Sequence, residues 1–344
     1  MKPSFYSTTL VVATIAQAAL AITFNNSHSP STIAPSPLPP PGSSSQAEEI
    51  IRQFASLRRS TKWKLVSKIT FEGTTGEPEG LARVGPDRYY VGSGEWLTPT
   101  VKYPSPINGT DRTTGSGFAH ILVFDGSGRQ VADATISAPG DTEYHIGGIE
   151  YDGAHIWATL SEYRPNSTAT VVRIDPSTLD PEPVFRVRDH QGGIVHDLVT
   201  DDLVTLNWGA REASLWNLGY KLKPLPEFSR PRSVTSNPSN WIDYQDCKFL
   251  GHSKKYDSRA VMICSGIADI GGGDGQQEAF RLGGVAIVDM LSMVPLADVP
   301  IPMISDRGQA MAKNPFDVAI VDGKLRFYFL PDEGESTLYV YEAE

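Results

Sequence analysis

The segments HIGGI at residues 145–149 and HQGGI at residues 190–194 share the pattern His-x-Gly-Gly-Ile. Three further segments, PEGL at 78–81, WIDY at 241–244 and NPFDV at 314–318, also contain polar or acidic residues ahead of an apolar run. Each of the five leads into a short apolar strand, a tight turn and a second strand. Repeated four-stranded units of this length are typical of propeller blades. The sequence therefore predicts an all-β fold, a β-propeller.

The positions of these repeats predict five blades, at residues 79–136, 147–187, 192–228, 242–301 and 316–341. The last unit contains about three strands, and the run at 63–71 supplies a fourth. We therefore expect an N-terminal strand to complete the C-terminal blade, which closes the ring and protects both strand edges. A six-bladed propeller is the alternative if residues 209–240 contain another blade.

Residues 1–21 have the pattern of a secretory signal peptide, with Lys2 first, an apolar run at 8–20 and the small-residue site Ala19-Leu20-Ala21. The run is shorter than the roughly 20 apolar residues that a membrane helix needs, and no membrane span is expected. A retained anchor is the alternative. We expect a secreted, extracellular protein.

Three segments follow the predicted signal peptide. Residues 22–44 are rich in Ser and Pro and are expected to form a linker. Residues 45–60 are predicted to form a short amphipathic helix, because Ser45 and Glu48 have the spacing of a capping box and apolar residues then recur at helical spacing. Residues 61–344 are assigned to the propeller domain.

Two cysteines, Cys247 and Cys264, lie on consecutive apolar runs joined by a polar turn. If this hairpin folds about Lys255 and Tyr256, the two cysteines face each other at a distance that a disulfide spans. The prediction is one disulfide inside one blade. Two free buried thiols are the alternative.

Sequons at Asn25, Asn108 and Asn166 are predicted glycosylation sites. The formal net charge is −10, and the chain has no block of Lys or Arg. This argues against nucleic acid or an anionic membrane surface as a partner. A monomer with a small-molecule or carbohydrate ligand is expected.

The innermost strand of each blade lines the central channel of a propeller, so the repeated segments should meet at one mouth. They bring Glu79, His145, His190 and Asp243 there. Imidazoles and carboxylates together are typical of a metal or acid–base site. Glu79, His190 and Asp243 are the predicted metal ligands, and His145 and His190 the predicted catalytic residues. The alternative is that both histidines donate hydrogen bonds to neighbouring blades.

A second layer of candidates lies at the ends of the second strands, where aromatic and charged residues alternate. Such a mixture suits a polar ligand with apolar faces. An arginine there would grip a carboxylate; inter-blade salt bridges are the alternative. The predicted ligand-binding residues are Glu162, Tyr163, Arg164, Trp208, Arg211 and Glu333, with Trp96 beside them.

The motifs at 144–153, 162–167, 189–193 and 242–247 resemble a family of fungal and actinobacterial proteins catalogued as a domain of unknown function. The resemblance covers residues 63–342 and implies a shared fold without an assigned activity. PEGLA at 78–82 is also distantly similar to gluconolactonase and strictosidine-synthase-like propellers, in which an acidic residue helps to hold a divalent cation, usually Ca²⁺. That similarity implies a cation-binding role for Glu79. The histidines in two other repeats depart from it and favour a transition metal.

Two hypotheses of different classes follow. The first is a metal-assisted hydrolase, lactonase- or esterase-like, in which one divalent cation polarises a carbonyl group. The second is a non-catalytic sugar- or metabolite-binding propeller module. A biosynthetic tailoring or cyclising enzyme is a third reading.

Overall fold

A computed structural model describes residues 46–344 apart from 59, 221, 240 and 272–279, together with two strands nearer the N-terminus. The fold is a five-bladed β-propeller with one α-helix in this part of the chain, as predicted. The predicted signal peptide at 1–21, Ser45 and much of the predicted linker lie outside the described residues. Among the helices assigned there, none has the length and apolar character needed to cross a membrane.

The N-terminal elements precede the ring. The strands β1 (Ile22–Asn26) and β2 (Ser29–Ile33) form an antiparallel hairpin within the segment predicted to be a linker. The helix α1 (Ala47–Phe54) follows, and then the strand β3 (Trp63–Thr70).

Blades 1 and 2 come next. The strands of blade 1, including an inserted hairpin (β6 and β7), are β4 (Glu77–Arg83), β5 (Arg88–Thr98), β6 (Lys102–Ile107), β7 (Thr110–Arg112), β8 (Ser116–Asp125) and β9 (Gln130–Thr135). In blade 2 the innermost strand is divided in two, and the strands are β10 (His145–Ile146), β11 (Glu150–Tyr151), β12 (Ile156–Ser161), β13 (Ala169–Ile174) and β14 (Pro181–Val187).

Blades 3, 4 and 5 complete the ring. The strands of blade 3 are β15 (Gly193–Asp197), β16 (Asp202–Leu206), β17 (Glu212–Asn217) and β18 (Ser233–Ser236). Those of blade 4 are β19 (Asp243–Ser253), β20 (Arg259–Ile270), β21 (Phe280–Asp289) and β22 (Pro295–Ile301). Blade 5 has the order β23 (Phe316–Val321), β24 (Lys324–Phe329), β25 (Thr337–Ala343) and β3.

The ring closes as the sequence predicts. β3 pairs antiparallel with β25, so that Trp63 lies opposite Ala343 and Thr70 opposite Thr337. Residues 209–240 would have held another blade in the six-bladed alternative. They instead supply the outer strands β17 and β18 of blade 3.

The helix α1 packs on the outside of blades 4 and 5. Its residues Ile50, Ile51 and Phe54 are buried in one apolar cluster with Leu250 of blade 4 and Phe327 of blade 5. Its first turn is not capped by a side chain, since Gln46 occupies the N-cap position without such a bond. Glu48, the predicted partner in the capping box, instead accepts a hydrogen bond from the Lys254 backbone N–H (2.8 Å).

The predicted disulfide is confirmed. Cys247 and Cys264 lie directly opposite each other in the β19–β20 hairpin, with Cα atoms 4.1 Å apart, and are bonded to each other. The bond ties the two innermost strands of blade 4.

Buried ionisable groups connect the innermost strands across the propeller axis. Asp246 of blade 4 is fully buried and accepts hydrogen bonds from the backbone N–H groups of Leu81 in blade 1 (3.2 Å) and Phe316 in blade 5 (3.3 Å). Lys248 Nζ donates to Asp246 (2.6 Å) and to the Ile149 carbonyl of blade 2 (2.6 Å). One ion pair therefore joins four of the five blades.

A second buried carboxylate connects blade 3, the remaining blade, to its neighbours. Glu150 of blade 2 accepts hydrogen bonds from the backbone N–H groups of His196 in blade 3 and Phe249 in blade 4, both at 2.5 Å. Burial raises the pKa of Glu150 to about 8, although these two donors favour the ionised form.

We expect Asp246→Asn to lower the free energy of unfolding by about 3–5 kcal/mol, because it leaves the Lys248 ammonium buried without its counter-charge. Urea unfolding at pH 8 is the measurement, since burial raises the pKa of Asp246 to about 6 and the carboxyl is ionised at that pH. The double variant with Lys248→Met should lose less than the sum of the single losses.

The matched control is Glu182→Gln, which breaks the exposed Arg173–Glu182 ion pair on blade 2 (2.8 Å). Exposed pairs contribute about 0–1 kcal/mol. If Asp246→Asn costs no more than this control, the axial ion pair does not hold the blades together.

Replacing both cysteines by serine should lower the stability by about 2–4 kcal/mol, because the disulfide closes a loop with a sequence separation of 17. Urea unfolding of the oxidised protein and the Cys247→Ser/Cys264→Ser variant measures this. Equal unfolding midpoints would contradict it.

Candidate metal centre at the upper channel mouth

Three side chains meet at the upper mouth, defined as the channel mouth at which β4, β10 and β15 begin. They are Glu77 and Glu79 of β4 and His145 of β10, whose potential ligand atoms all lie within 4.8 Å of one another. Glu79 Oε1 is 4.0 Å from His145 Nε2. Protein ligands lie about 2.0–2.6 Å from Zn²⁺ or Ca²⁺, so one ion placed between these atoms would contact both. Within the described part of the chain no other group of three meets this spacing.

Glycines allow the innermost strands to approach closely enough to form this mouth. A Cβ on Gly80 would lie 2.6 Å from the Ile149 backbone nitrogen, and one on Gly147 would lie 2.5 Å from the Gly192 carbonyl oxygen. Neither contact is sterically possible. The Gly-Gly pairs that repeat in the sequence therefore serve the contact between innermost strands, and they place the preceding histidines at the mouth.

Both histidines at this mouth are buried, and burial favours their neutral forms. His190 Nδ1 donates to the Glu162 carbonyl oxygen (2.9 Å), which leaves Nε2 as the nitrogen with the lone pair. Burial lowers the pKa of His190 to about 4, and burial together with the nearby His190 lowers the pKa of His145 well below its usual value. The bond from His190 to blade 2 is the inter-blade contact that the sequence left as an alternative.

His145 has an unsatisfied nitrogen. It is 6% exposed, and its buried Nδ1 has no hydrogen-bond partner among the described residues. Its ring lies 5.3 Å from that of His190, centroid to centroid. A buried polar atom without a partner costs free energy, and such costs are common at functional sites.

The two carboxyl groups resist ionisation. Burial, followed by the repulsion of Glu333, raises the pKa of Glu77 to about 7. Burial and the negative charge of Glu77 raise the pKa of Glu79 well above its ordinary value. A divalent cation between the carboxylates would relieve both effects, because it favours their ionised forms.

Aromatic side chains surround the histidines. Tyr163 Oη donates to Glu77 (3.2 Å), and its ring lies 4.6 Å from that of His145. The Trp208 ring lies 4.8 Å from that of His190 and 5.5 Å from that of Tyr163. Trp96 contacts Tyr163 (5.8 Å) and is 46% exposed, so it forms the outer part of this wall.

Other predicted site residues pair with neighbours. Asp243, a predicted metal ligand, forms an ion pair with Arg211 and lies apart from Glu77, Glu79 and His145. Arg164 pairs with Glu162 (2.6 Å). Glu333 pairs with Lys313 (2.5 Å) rather than with an arginine. Arg211 belongs to blade 3 and Asp243 to blade 4, so their ion pair is the inter-blade salt bridge given as the alternative, whereas Arg164 and Glu162 both belong to blade 2.

Sequence reasoning missed Glu77, Arg112 and Lys313. Glu77 is two residues before Glu79 on the same strand, and the two-residue period of a strand would have placed both on one face. Arg112 lies in the inserted hairpin (β6 and β7), and this hairpin is not part of the repeated sequence pattern. Lys313 precedes the fifth repeat, where its pairing with Glu333 has no local signal.

The predicted glycosylation sites Asn108 and Asn166 are both exposed and lie near each other, because the Asn166 side-chain amide donates to the Gly109 carbonyl (2.7 Å). Asn25 lies in β1, and its side chain is outside the described residues. Glycosylation stays a prediction at all three.

In the presence of chelator, the free energy of unfolding should fall as the pH rises from about 4.5 to 7. The folded state keeps a proton on Glu77 (pKa about 7) that the unfolded chain releases near its ordinary pKa of 4.5. Glu77→Gln should remove up to about 3 kcal/mol of this fall, measured by urea unfolding at each pH. An unchanged pH slope in the variant would contradict the assigned pKa.

Comparisons with solved structures give matches at low identity and low TM-score. The chain is 12% identical to hydrazine synthase of Kuenenia stuttgartiensis (TM-score 0.32, 63% of this chain and 53% of that one), so it spans about half of that protein. It is 11% identical to a luciferin-regenerating enzyme (TM-score 0.43, 83% and 95%). It is 12% identical to MPT-4, a mannose phosphorylase of Leishmania mexicana (TM-score 0.45, 81% and 88%).

A search of curated proteins finds no match. The sequence profile of a family of unknown function, DUF6454, matches residues 38–344. This match includes all five blades and every residue of the upper mouth, and it confirms the resemblance predicted from the repeated motifs. The chain belongs to the family of unknown function DUF6454.

Proposed function

We propose that the upper mouth binds one divalent cation through Glu77, Glu79 and His145 and hydrolyses an ester or lactone. The observation that carries this proposal is the convergence of these three potential ligands within 4.8 Å. A water molecule loses a proton and adds to the carbonyl carbon, the C–O bond to the alcohol oxygen breaks, and that oxygen takes up the proton, so that an acid and an alcohol form.

The donor set favours a transition metal over Ca²⁺, because an imidazole nitrogen joins two carboxylates. Three protein ligands are also the usual number at catalytic zinc sites, which keep one position open for water or substrate. A cation bound there supplies Lewis-acid polarisation of the carbonyl group and a more acidic water.

The sequence suggested His190 as a metal ligand and His145 as a catalytic residue, and in this proposal the two histidines exchange these roles. His145 faces Glu79 and acts as a ligand, whereas His190 lies beside it and acts as the general base. The Glu162 carbonyl holds His190 Nδ1–H, so Nε2 is free of its own proton and accepts one from water. Asp243 has no role in this proposal, because it pairs with Arg211.

The aromatic wall supports a second candidate function, a non-catalytic sugar- or metabolite-binding module. Trp96, Tyr163 and Trp208 offer ring faces beside buried polar groups, a combination that suits a ligand with apolar and polar sides. Turnover of any ester or lactone that depends on His190 would reject a purely binding role.

We further propose that the protein is secreted and glycosylated. The disulfide in blade 4 supports this, since disulfides persist mainly in oxidising compartments. The exposed positions of Asn108 and Asn166 are compatible with glycan attachment.

Metal analysis and calorimetric titration with Zn²⁺, Mn²⁺ and Ca²⁺ test the proposed cation site. Glu79→Gln and His145→Ala should each weaken binding by more than about 100-fold, since even outer-shell substitutions cost about 10- to 100-fold. Chelator should abolish hydrolysis of 4-nitrophenyl acetate or δ-valerolactone, and added cation should restore it.

Two further variants sharpen the test. Glu182→Gln, at an exposed ion pair of blade 2, is the control and should leave affinity unchanged. Asp243→Asn should also leave it unchanged, and a large loss there would favour the ligand set predicted from the sequence. A protein that binds none of the three cations would refute the proposed function.

A further inference from the structure

The inserted hairpin (β6 and β7) is anchored at both ends by hydrogen bonds, and its residue Arg112 contacts the aromatic side chains of the upper mouth. At its tip the Asn166 amide of blade 2 donates to the Gly109 carbonyl (2.7 Å). At its base Thr113 N–H donates to the Val101 carbonyl (2.9 Å), and Val101 N–H donates to Thr113 Oγ1 (2.8 Å). The last residue of the hairpin, Arg112, therefore has a defined position.

Arg112 is held in one orientation by its neighbours. Its Nε and Nη2 groups donate to Asp111 (2.9 and 2.8 Å). The guanidinium carbon lies 4.8 Å from the centre of the Trp208 ring and 5.5 Å from that of Tyr163. The side chain is 13% exposed, and its hydrogen bonds to Asp111 use Nε and Nη2 and not Nη1.

Aromatic rings connect the guanidinium group of Arg112 to the two histidines of the upper mouth. Tyr163 and Trp208, which it touches, also contact His145 and His190. The upper mouth thus has a carboxylate–imidazole end, an aromatic wall and, against that wall, the guanidinium of the Arg112–Asp111 pair.

We propose that Arg112 selects esters or lactones that carry a carboxylate at the end away from the scissile carbonyl. Nη1 donates a charge-assisted hydrogen bond to that carboxylate, while Tyr163 and Trp208 contact the apolar part of the substrate. This inference rests on the proposed hydrolase function and names its substrate class. Arg112 is a specificity-determining residue and takes no part in proton transfer.

The test compares two esters of equal acyl length, mono(4-nitrophenyl) glutarate and 4-nitrophenyl pentanoate, after subtraction of spontaneous hydrolysis. The wild type with bound cation should prefer the glutarate ester. Arg112→Gln should lower this preference about 10- to 100-fold, mainly through KM, as expected for one hydrogen bond to a charged group. Arg112→Lys should restore part of it.

The control is Arg129→Gln, an exposed arginine paired with Asp125 at the outer side of blade 1, which should leave the preference unchanged. Cation affinity of the Arg112→Gln variant shows whether the mouth remains folded. The inference is overturned if the wild type does not prefer the anionic ester, or if Arg112→Gln lowers both rates equally while cation binding is intact.

Failure of the hydrolase proposal is separable from failure of this inference. If neither ester is turned over, the wild type and the Arg112→Gln variant are titrated with glutarate, and binding is monitored by tryptophan fluorescence. This measurement decides whether Arg112 selects anions. If glutarate binds to the wild type and not to the variant, the anion selectivity of Arg112 stands and the hydrolysis of these esters is rejected. Absence of binding to both proteins would reject the selectivity as well.

Discussion

The arrangement of this propeller depends on buried carboxylates that accept hydrogen bonds across its axis. Asp246 takes backbone N–H groups from blades 1 and 5, and its partner Lys248 reaches a carbonyl of blade 2. Glu150 adds blades 3 and 4. Each innermost strand has an edge facing the axis with backbone polar groups to satisfy, and these side chains satisfy some of the buried ones.

The same constraint shapes the upper mouth. The negative charge of Asp246 is one of the influences that raise the pKa of Glu79. Close approach of the strands, which needs Gly80 and Gly147, brings Glu79 to His145. The features that hold the ring together therefore also gather carboxyl and imidazole groups in one place, where burial disfavours the ionised carboxylates. This is why a cation suits the site.

The sequence predicts the ring well because its information is periodic and local. The repeated segments gave five blades, the strand at 63–71 closed the last one, and constant register in a hairpin predicted the Cys247–Cys264 bond. His145, His190 and Glu79 were placed at one mouth for the same reason. The repeats do not predict the direction of each side chain. Asp243 occupies the position in its repeat that corresponds to those of the other site residues, but its side chain pairs with Arg211 of blade 3.

Contributions from insertions could not be predicted. Arg112 reaches the mouth because Asn166 anchors the hairpin tip, a contact between two loops of different blades. Glu77 was within reach of strand periodicity, although a bulge between Pro78 and Gly80 interrupts the pairing there. Helix α1 was predicted from its apolar spacing, yet Glu48 serves blade 4 instead of capping the helix.

Closure of blade 5 by β3 has a consequence for synthesis of the chain. Trp63 pairs with Ala343, so nearly the whole ring must leave the ribosome before β3 finds its partner. At about 5–20 residues per second, β3 waits for roughly tens of seconds with its edge bare. Nascent chains therefore expose an unpaired strand while the other blades are synthesised, and protection of that edge falls to chaperones.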